Sequence, residues 1–212
     1  MRHHRTSTRP RGFTAVEMLV VMAILGIVAA MGVPWLQNLI HRTKMEGLIG
    51  NAATVLRQAR SEAIKQNVLT VVRFDPATRR IEAFADRDGA DTTDPPDGVF
   101  NPVAGEPNKT TDYRIGSMPL PTGIEFAAPG GEDIFDGLTT VDNGGTDEDV
   151  AIFNPDGSIT AVGAVRVGDG RDNFFEIRIA PQGTARVRIA KWDDVEAAWF
   201  EKGEDGRKWS WN

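Results

Sequence analysis

Few residues in this 212-residue chain could carry out chemistry. Cysteine is absent, which excludes disulfides, thiolate metal sites and thiol nucleophiles. The histidines are His3, His4 and His41, and the first two lie in a basic amino-terminal segment that we expect to be removed. One remaining histidine leaves no basis for a multi-histidine metal site, and we predict that the protein is not an enzyme.

An acidic segment from Asp86 to Asp97 is the stronger of two candidates for metal binding. The second, from Asp142 to Asp149, is expected to be a flexible loop. Alternating aspartates beside a glycine are typical of calcium loops, because Ca²⁺ takes several oxygens from a sharply turned backbone. We predict no cofactor other than Ca²⁺, for which the candidate ligands are Asp86, Asp88, Asp91 and Asp94. The spacing departs from an EF-hand after Asp91 and no glutamate closes the loop, so a solvated acidic loop is the favoured alternative.

Arginines on the last predicted strands form a candidate anion-binding set. Alternation with period two places Arg178, Arg186 and Arg188 on one exposed sheet face, with Arg166 beside them. Such a face could contact DNA phosphates. A net charge of −6 argues against a generally nucleic-acid-binding surface, and an ordinary solvated face is favoured.

Glu17 stands at the edge of a long apolar stretch. From Met18 to Leu36 no side chain is charged over 19 residues, about 28 Å of helix, which approaches the roughly 30 Å core of a bilayer. Four arginines and no acid precede it in residues 1–12, which predicts a cytoplasmic amino terminus. An acid at mid-bilayer costs roughly 2.5 to 3.5 kcal/mol, so Glu17 requires a cationic partner.

The sequence RGFTAVEMLVVMAILGIVAAMGVPWL resembles the class III signal of type IV pilins and type II secretion pseudopilins. This resemblance implies that a prepilin peptidase cuts between Gly12 and Phe13, and that the new amino terminus at Phe13 is N-methylated. It also implies that Glu17 guides assembly, where it would meet the amine of a neighbouring subunit. A cleavable secretory signal or a plain signal anchor is the alternative.

The resemblance also implies partners and a location. The partners are other pilins or pseudopilins through the amino-terminal helix, the prepilin peptidase, the inner membrane and an exported protein. DNA is a partner that we do not favour. The precursor is expected to be a single-pass inner-membrane protein with a periplasmic head, which later joins a pilus or pseudopilus. Loss of residues 1–12 removes four arginines and changes the side-chain charge from −6 to −10.

One long helix is predicted after the leader at 1–12. Apolar residues recur every three and four positions up to about Gln66, which predicts a helix from Phe13. We divide it into a membrane and assembly half at 13–36 and an amphipathic half at 37–66. Pro34 removes a backbone donor and is expected to kink the helix.

Short strands separated by turns follow the helix and predict an α+β protein with a pilin-like, mainly antiparallel head at 67–191. The first two predicted strands, Val68–Phe74 and Arg80–Ala85, are expected to form a hairpin. The segments AIFNPDGSI and FFEIRIAPQGTARVRI resemble the pseudopilin H and FimT-type family. The tail at 192–212 holds four of the five tryptophans and a predicted short helix at 193–202. We expect these tryptophans to pack on the head.

Three functions follow from these patterns. The favoured function is a minor pseudopilin of a type II secretion system, a structural subunit for protein export. The first alternative is a FimT-type minor pilin that binds DNA for uptake. In such relatives a Gly-Arg-x-Arg motif contacts DNA, whereas here two residues separate Gly183 from Arg186-Val187-Arg188. The second alternative is a signal-anchored, calcium-dependent binding protein that does not polymerise.

Overall fold

A computed structural model describes residues 13–87, 100, 112–143, 145–204 and 208–211, with the backbone alone at 31, 32, 34 and 35. The chain divides into two compact units, Met1–Thr43 and Lys44–Asn212. One helix is followed, in the described part of the chain, by eleven strands that pair antiparallel in two sheets. The predicted α+β class is therefore confirmed.

The elements have the following bounds. The helix α1 is Ala15–Gln66. The strands are β1 Leu69–Asp75, β2 Arg80–Asp86, β3 Tyr113–Pro119, β4 Glu125–Phe126, β5 Phe135–Asp136, β6 Thr139–Asp142, β7 Asp147–Phe153, β8 Gly163–Gly168, β9 Phe174–Ile179, β10 Val187–Asp193 and β11 Ala198–Glu201.

The carboxyl end of α1 is set by Asn67. This residue has φ 55°, a left-handed conformation that asparagine adopts more readily than most residues. The amide of Val68 then donates to the carbonyl of Ala63 at 3.3 Å, which satisfies one of the last helical carbonyls. The chain leaves the helix directly into β1.

The strands form one sheet of five strands and one of six. Sheet A has the order β3-β2-β1-β7-β6, and sheet B has the order β11-β10-β9-β8-β4, with β5 also pairing with β8. The predicted β1–β2 hairpin is present, with Leu69 opposite Asp86 and Asp75 opposite Arg80. Its turn is closed by Asp75, which accepts hydrogen bonds from the amide and the hydroxyl of Thr78.

The second unit is built around a large hydrophobic core, and a smaller cluster of Val71, Phe84 and Val150 lies apart from it. Residues of α1 from Met45 to Ala63 pack with the inner faces of both sheets, which contribute among others Phe74, Phe153 and Phe175. Thr70 is fully buried in β1, where its hydroxyl donates to the carbonyl of Ala59 at 2.8 Å. The distal part of the helix is thereby joined to sheet A by a buried hydrogen bond as well as by apolar contact.

The predicted short helix at 193–202 is wrong. The chain forms a hairpin there, in which Trp192 of β10 is opposite Trp199 of β11. The turn is stabilised by Asp193, whose carboxylate accepts from the amides of Val195 and Glu196. Trp209 and Trp211 pack on the core against Phe175, as expected.

Candidate functional site

The start of α1 is closed by a capping box formed by Thr14 and Glu17. The amide of Glu17 donates to the Thr14 hydroxyl oxygen at 3.2 Å, and the amide of Thr14 donates to Glu17 Oε2 at 2.8 Å. The Thr14 hydroxyl donates to the same carboxylate oxygen at 2.9 Å. The sequence analysis did not identify Thr14, although the Thr-x-x-Glu spacing is the sequence signature of this cap.

Apolar side chains are exposed along α1 in the first unit. Every described large apolar side chain from residue 13 to residue 40 is at least 45% exposed, and Phe13 is 81% exposed. Soluble monomers rarely expose continuous apolar surface of this extent, which marks a surface that contacts protein or lipid. In the second unit, by contrast, Met45 and Leu56 of the same helix are fully buried.

The structure tests neither the predicted cleavage position at Gly12 nor the predicted bend at Pro34. Gly12 lies outside the described residues. Residue 34 lies inside α1, which is helical on both sides of it, and the bend predicted at Pro34 stays a prediction. No helix in the described part of the chain is long and apolar enough to span a membrane.

The acidic loop is described only at its first aspartate. Asp86 is the last residue of β2 and is 2% exposed. Asp88, Asp91 and Asp94 lie outside the described residues. Among the residues that are described, no group of three or more histidine, aspartate or glutamate side chains is arranged to hold a metal ion. The calcium site therefore stays a prediction.

Arg178 and Arg188 are opposite each other in the β9–β10 register and share one face of sheet B. Arg178 donates to Glu176 at 2.7 Å and to Asp136 at 2.8 Å. These hydrogen bonds to carboxylates, which outweigh the opposing effect of burial, raise the pKa of the Arg178 guanidinium above its ordinary value. Arg188 forms an ion pair with Glu201 at 3.2 Å.

Arg166 is not on an exposed face, contrary to the prediction. It is 4% exposed and forms ion pairs with Glu176 and Glu132 at 2.9 and 3.0 Å. Its guanidinium lies 5.2 Å from the ring centroid of Trp199, on the adjoining hairpin. Alternation placed Arg166 on the correct side of the sheet, but it could not show that β11 would cover that side.

Arg186 lies just before β10, apart from these ion pairs. Its side chain is exposed, and it borders a groove together with Arg57 of α1. Helical periodicity predicts Arg57 on the polar face of the amphipathic half of the helix. No sequence signal places these two arginines together, because 129 positions separate them and only the packing of α1 on sheet B makes them neighbours.

Comparison with known proteins identifies the amino-terminal segment. Residues 7–33 match the family model of the prokaryotic N-terminal methylation motif. A search of curated proteins gives no match. Among solved structures, the chain is similar to the minor pseudopilin EpsH from the type 2 secretion system of Vibrio cholerae. That match has 15% identity and a TM-score of 0.40, and covers 68% of this chain and 94% of that chain. This α+β protein therefore carries, over residues 7–33, the N-terminal methylation signal of type IV pilin-like proteins.

Proposed function

We propose that the chain is a pilin-like structural subunit, a minor pseudopilin, that assembles into a filament through the apolar part of α1. The observation that carries this proposal is the methylation motif at residues 7–33. The exposed apolar side chains from Phe13 to Ile40 support it, because helices packed side by side would cover this surface. A subunit of this kind is structural and performs no catalysis.

Processing is proposed to occur between Gly12 and Phe13, with methylation of the new amine on Phe13. Glu17 would then meet the amine of a neighbouring subunit. The geometry is suitable, because Oε2 of Glu17 accepts both hydrogen bonds from Thr14, whereas Oε1 accepts none in the described part of the chain. One carboxylate oxygen can hold the helix cap while the other receives a cation.

Export of proteins is the proposed role in preference to DNA uptake. Two of the three arginines considered for DNA contact, Arg178 and Arg188, are already paired with carboxylates. Cleavage would also leave the subunit with a side-chain charge of −10, which disfavours a polyanion. We further propose that residues 13–36 hold the precursor in the inner membrane, with the β-rich head in the periplasm, until the subunit enters the pseudopilus.

Intact mass and amino-terminal sequencing test the proposed processing. The full chain is expressed with and without a prepilin peptidase, and the membrane fraction is extracted in detergent. We expect the peptidase to yield a product that begins at Phe13 and carries one added methyl group. A chain that stays uncut, or one cut near Ala30 as by a signal peptidase, would contradict the proposal.

Two substitutions at Glu17 separate its charge from its role in the cap. Glutamine can occupy this position of a capping box, so Glu17→Gln retains the cap and removes the charge, whereas Glu17→Ala removes both. We expect both variants to be processed and neither to enter filaments, measured by shearing and immunoblotting. If Glu17→Gln is incorporated like the wild type, the charge of Glu17 does not set the register.

A further inference from the structure

A groove lined by arginines runs between α1 and the start of β10, within the second unit. It has a volume of about 410 Å³. Its helix side is formed by Arg57, Arg60, Ser61 and Ile64, and its other side by Ala185, Arg186 and Val187. An adjoining recess of about 380 Å³ shares Arg57, Arg186 and Val187 and extends to Arg188, Ile189 and Glu201. Four arginines therefore line the groove and the adjoining recess.

Three of these four cations have no carboxylate partner among the described residues. The side chains of Arg57 and Arg186 are exposed and form no ion pair with any described residue. Arg60 donates through Nε to the carbonyl of Gly157 at 2.8 Å, which orients its guanidinium without neutralising it. In the described part of the chain, Arg188 is the member of the set that has a carboxylate partner, Glu201. The second unit thus carries a cluster of positive charges that a ligand can reach, although the protein as a whole is acidic.

The backbone around Arg186 is fixed. The carbonyl of Arg186 accepts from the amide of Ala180 at 3.0 Å, and the amide of Ala185 donates to Pro181 at 2.9 Å. Ala185 is 2% exposed and packs into the core. On the opposite side, Arg57 and Arg60 are three positions apart on one helix, so their side chains are neighbours. The groove is therefore formed before any ligand arrives, which lowers the entropic cost of binding.

The side chains of the groove match a carboxylate-bearing ligand. Guanidinium groups present N–H donors in a planar fork that suits carboxylates and phosphates. One arginine of the set already binds a carboxylate, because Arg188 forms an ion pair with Glu201 at 3.2 Å.

Apolar side chains lie between the arginines. Ile64 is 50% exposed, and among the large apolar side chains described in the second unit Val195 alone is more exposed. Val187 and Ile189 add apolar surface along β10. A ligand that fits this surface therefore carries acidic and apolar side chains together, as a peptide does and a phosphodiester backbone does not.

We propose that this groove is a binding site for an acidic peptide segment of another protein. The carboxylates of the peptide would pair with Arg57 and Arg186, and one of its apolar side chains would pack against Ile64. The site does not depend on filament assembly, since every residue that forms it belongs to the second unit.

Peptide binding by the full processed chain in detergent tests the site. The probe is a fluorescein-labelled peptide of alternating glutamate and leucine, and the matched probe has glutamine in place of glutamate. We expect anisotropy to show binding of the acidic probe at low salt, with at least tenfold weaker binding of the neutral probe. Raising the salt concentration is expected to weaken binding, because the contacts are exposed ion pairs.

Variants assign the binding to the groove. Arg57→Gln with Arg186→Gln removes the two exposed charges that form no ion pair with a described residue, and it is expected to weaken binding at least tenfold. Lys44→Gln with Lys208→Gln removes two exposed charges outside the groove and controls for net charge, with less than a threefold change expected. Equal losses in both double variants, or no binding by the wild type, would overturn the proposal.

Competition with other anions tests whether the groove prefers a peptide. Inorganic phosphate and a single-stranded oligothymidine are added to the bound acidic probe. We expect each to displace the probe at least tenfold less effectively than unlabelled acidic peptide. An oligonucleotide that displaces it better, with binding that requires Arg57 and Arg186, would overturn the peptide proposal and indicate a nucleic-acid site. Displacement by phosphate at the peptide's own concentration would indicate an unspecific anion site instead.

Discussion

Lys191 is a buried cation on the core-facing side of sheet B. It is 4% exposed, and its Nζ lies 5.7 Å from the ring centroids of both Phe175 and Trp211. Burial lowers the pKa of Lys191, because it penalises the charged ammonium more than the nearby carboxylates of Asp194 and Asp169 favour it. Burial of this charge therefore opposes folding, whereas contact with the two rings favours the charged form.

Replacing Lys191 by methionine tests this balance. Because the folded pKa lies below the unfolded value, the wild type gains stability as pH rises from the folded pKa towards the unfolded value of about 10.4. We expect Lys191→Met to be at least as stable as the wild type at pH 7, and its advantage to shrink at alkaline pH.

Thermal unfolding of Lys191→Met between pH 7 and 10.5 measures this effect. Lys208→Met, at an exposed position, is the control and should follow the wild type. A lower melting temperature of Lys191→Met at pH 7 would mean that contact of the ammonium with the rings outweighs its burial.

Arg166 shows what a sequence can and cannot predict at a single residue. Period-two alternation assigned its face of the sheet correctly, opposite the buried Val165 and Val167. Its side chain contacts Trp199, 33 positions later, on a hairpin for which the sequence pattern predicts a helix. It also contacts Glu132 and Asp136, which precede it in a different segment. Contacts between residues far apart in sequence are not contained in local periodicity.

At the level of elements, the turn at 154–158, which follows β7 of sheet A, lies in contact with α1. Gly157 has φ 82°, and a Cβ at this position would lie 2.8 Å from Cδ1 of Ile64. Its carbonyl accepts the hydrogen bond from Arg60. The sequence Asn154-Pro155-Asp156-Gly157 predicts the turn, but nothing in it shows that the turn touches α1.

We expect Gly157→Ala to lower the free energy of unfolding by about 1 to 3 kcal/mol. The left-handed backbone costs a non-glycine residue roughly 1 to 2 kcal/mol, and displacement of Ile64 adds to this. Urea unfolding followed by circular dichroism measures the change. Gly130→Ala is the matched control, because Gly130 has no positive φ and no atom within 4 Å of its added Cβ. Equal stability of the two variants would contradict the close approach.

Long strands were predictable and short strands were not. The segment from Val68 to Phe74 is rich in β-branched and apolar residues, and β1 was therefore expected within a residue of its bounds. β5 contains only Phe135 and Asp136, and its pairing with β8 is set by the tertiary fold. The acidic segment from Asp142 to Asp149 was expected to be a loop, yet β7 begins at Asp147 inside it.

At the scale of the whole molecule, the head is stabilised by carboxylates as well as by its core. On the outer face of sheet A, Glu82 lies 2.8 Å from Arg73 and 3.4 Å from Arg80. Burial alone would raise the pKa of Glu82, but the hydrogen bond from Arg73 and the charge of Arg114 reverse this and lower it. The contribution of the Glu82 carboxylate to the free energy of unfolding is therefore fully present above its pKa in the unfolded chain, about 4.3. It is lost as the pH falls through the lower pKa of Glu82 in the folded protein.

We expect Glu82→Gln to lower the free energy of unfolding at pH 7 by about 1 to 3 kcal/mol, since hydrogen bonds to a charged group are lost. Below pH 4 the difference between wild type and variant should shrink, because the wild-type carboxylate is then increasingly protonated. Urea unfolding at pH 7, 5 and 3.5 provides the measurement. A difference that stays constant over this range would show that the charge of Glu82 does not contribute.

The paired tryptophans also give this protein an optical signature. The rings of Trp192 and Trp199 lie 5.2 Å apart at an interplanar angle of 63°, one on each strand of the β10–β11 hairpin. Electronic transitions of two such chromophores couple, and they split into a pair of circular dichroism bands of opposite sign. Closure of the hairpin could thus be followed without any label, even while the helix is held in detergent.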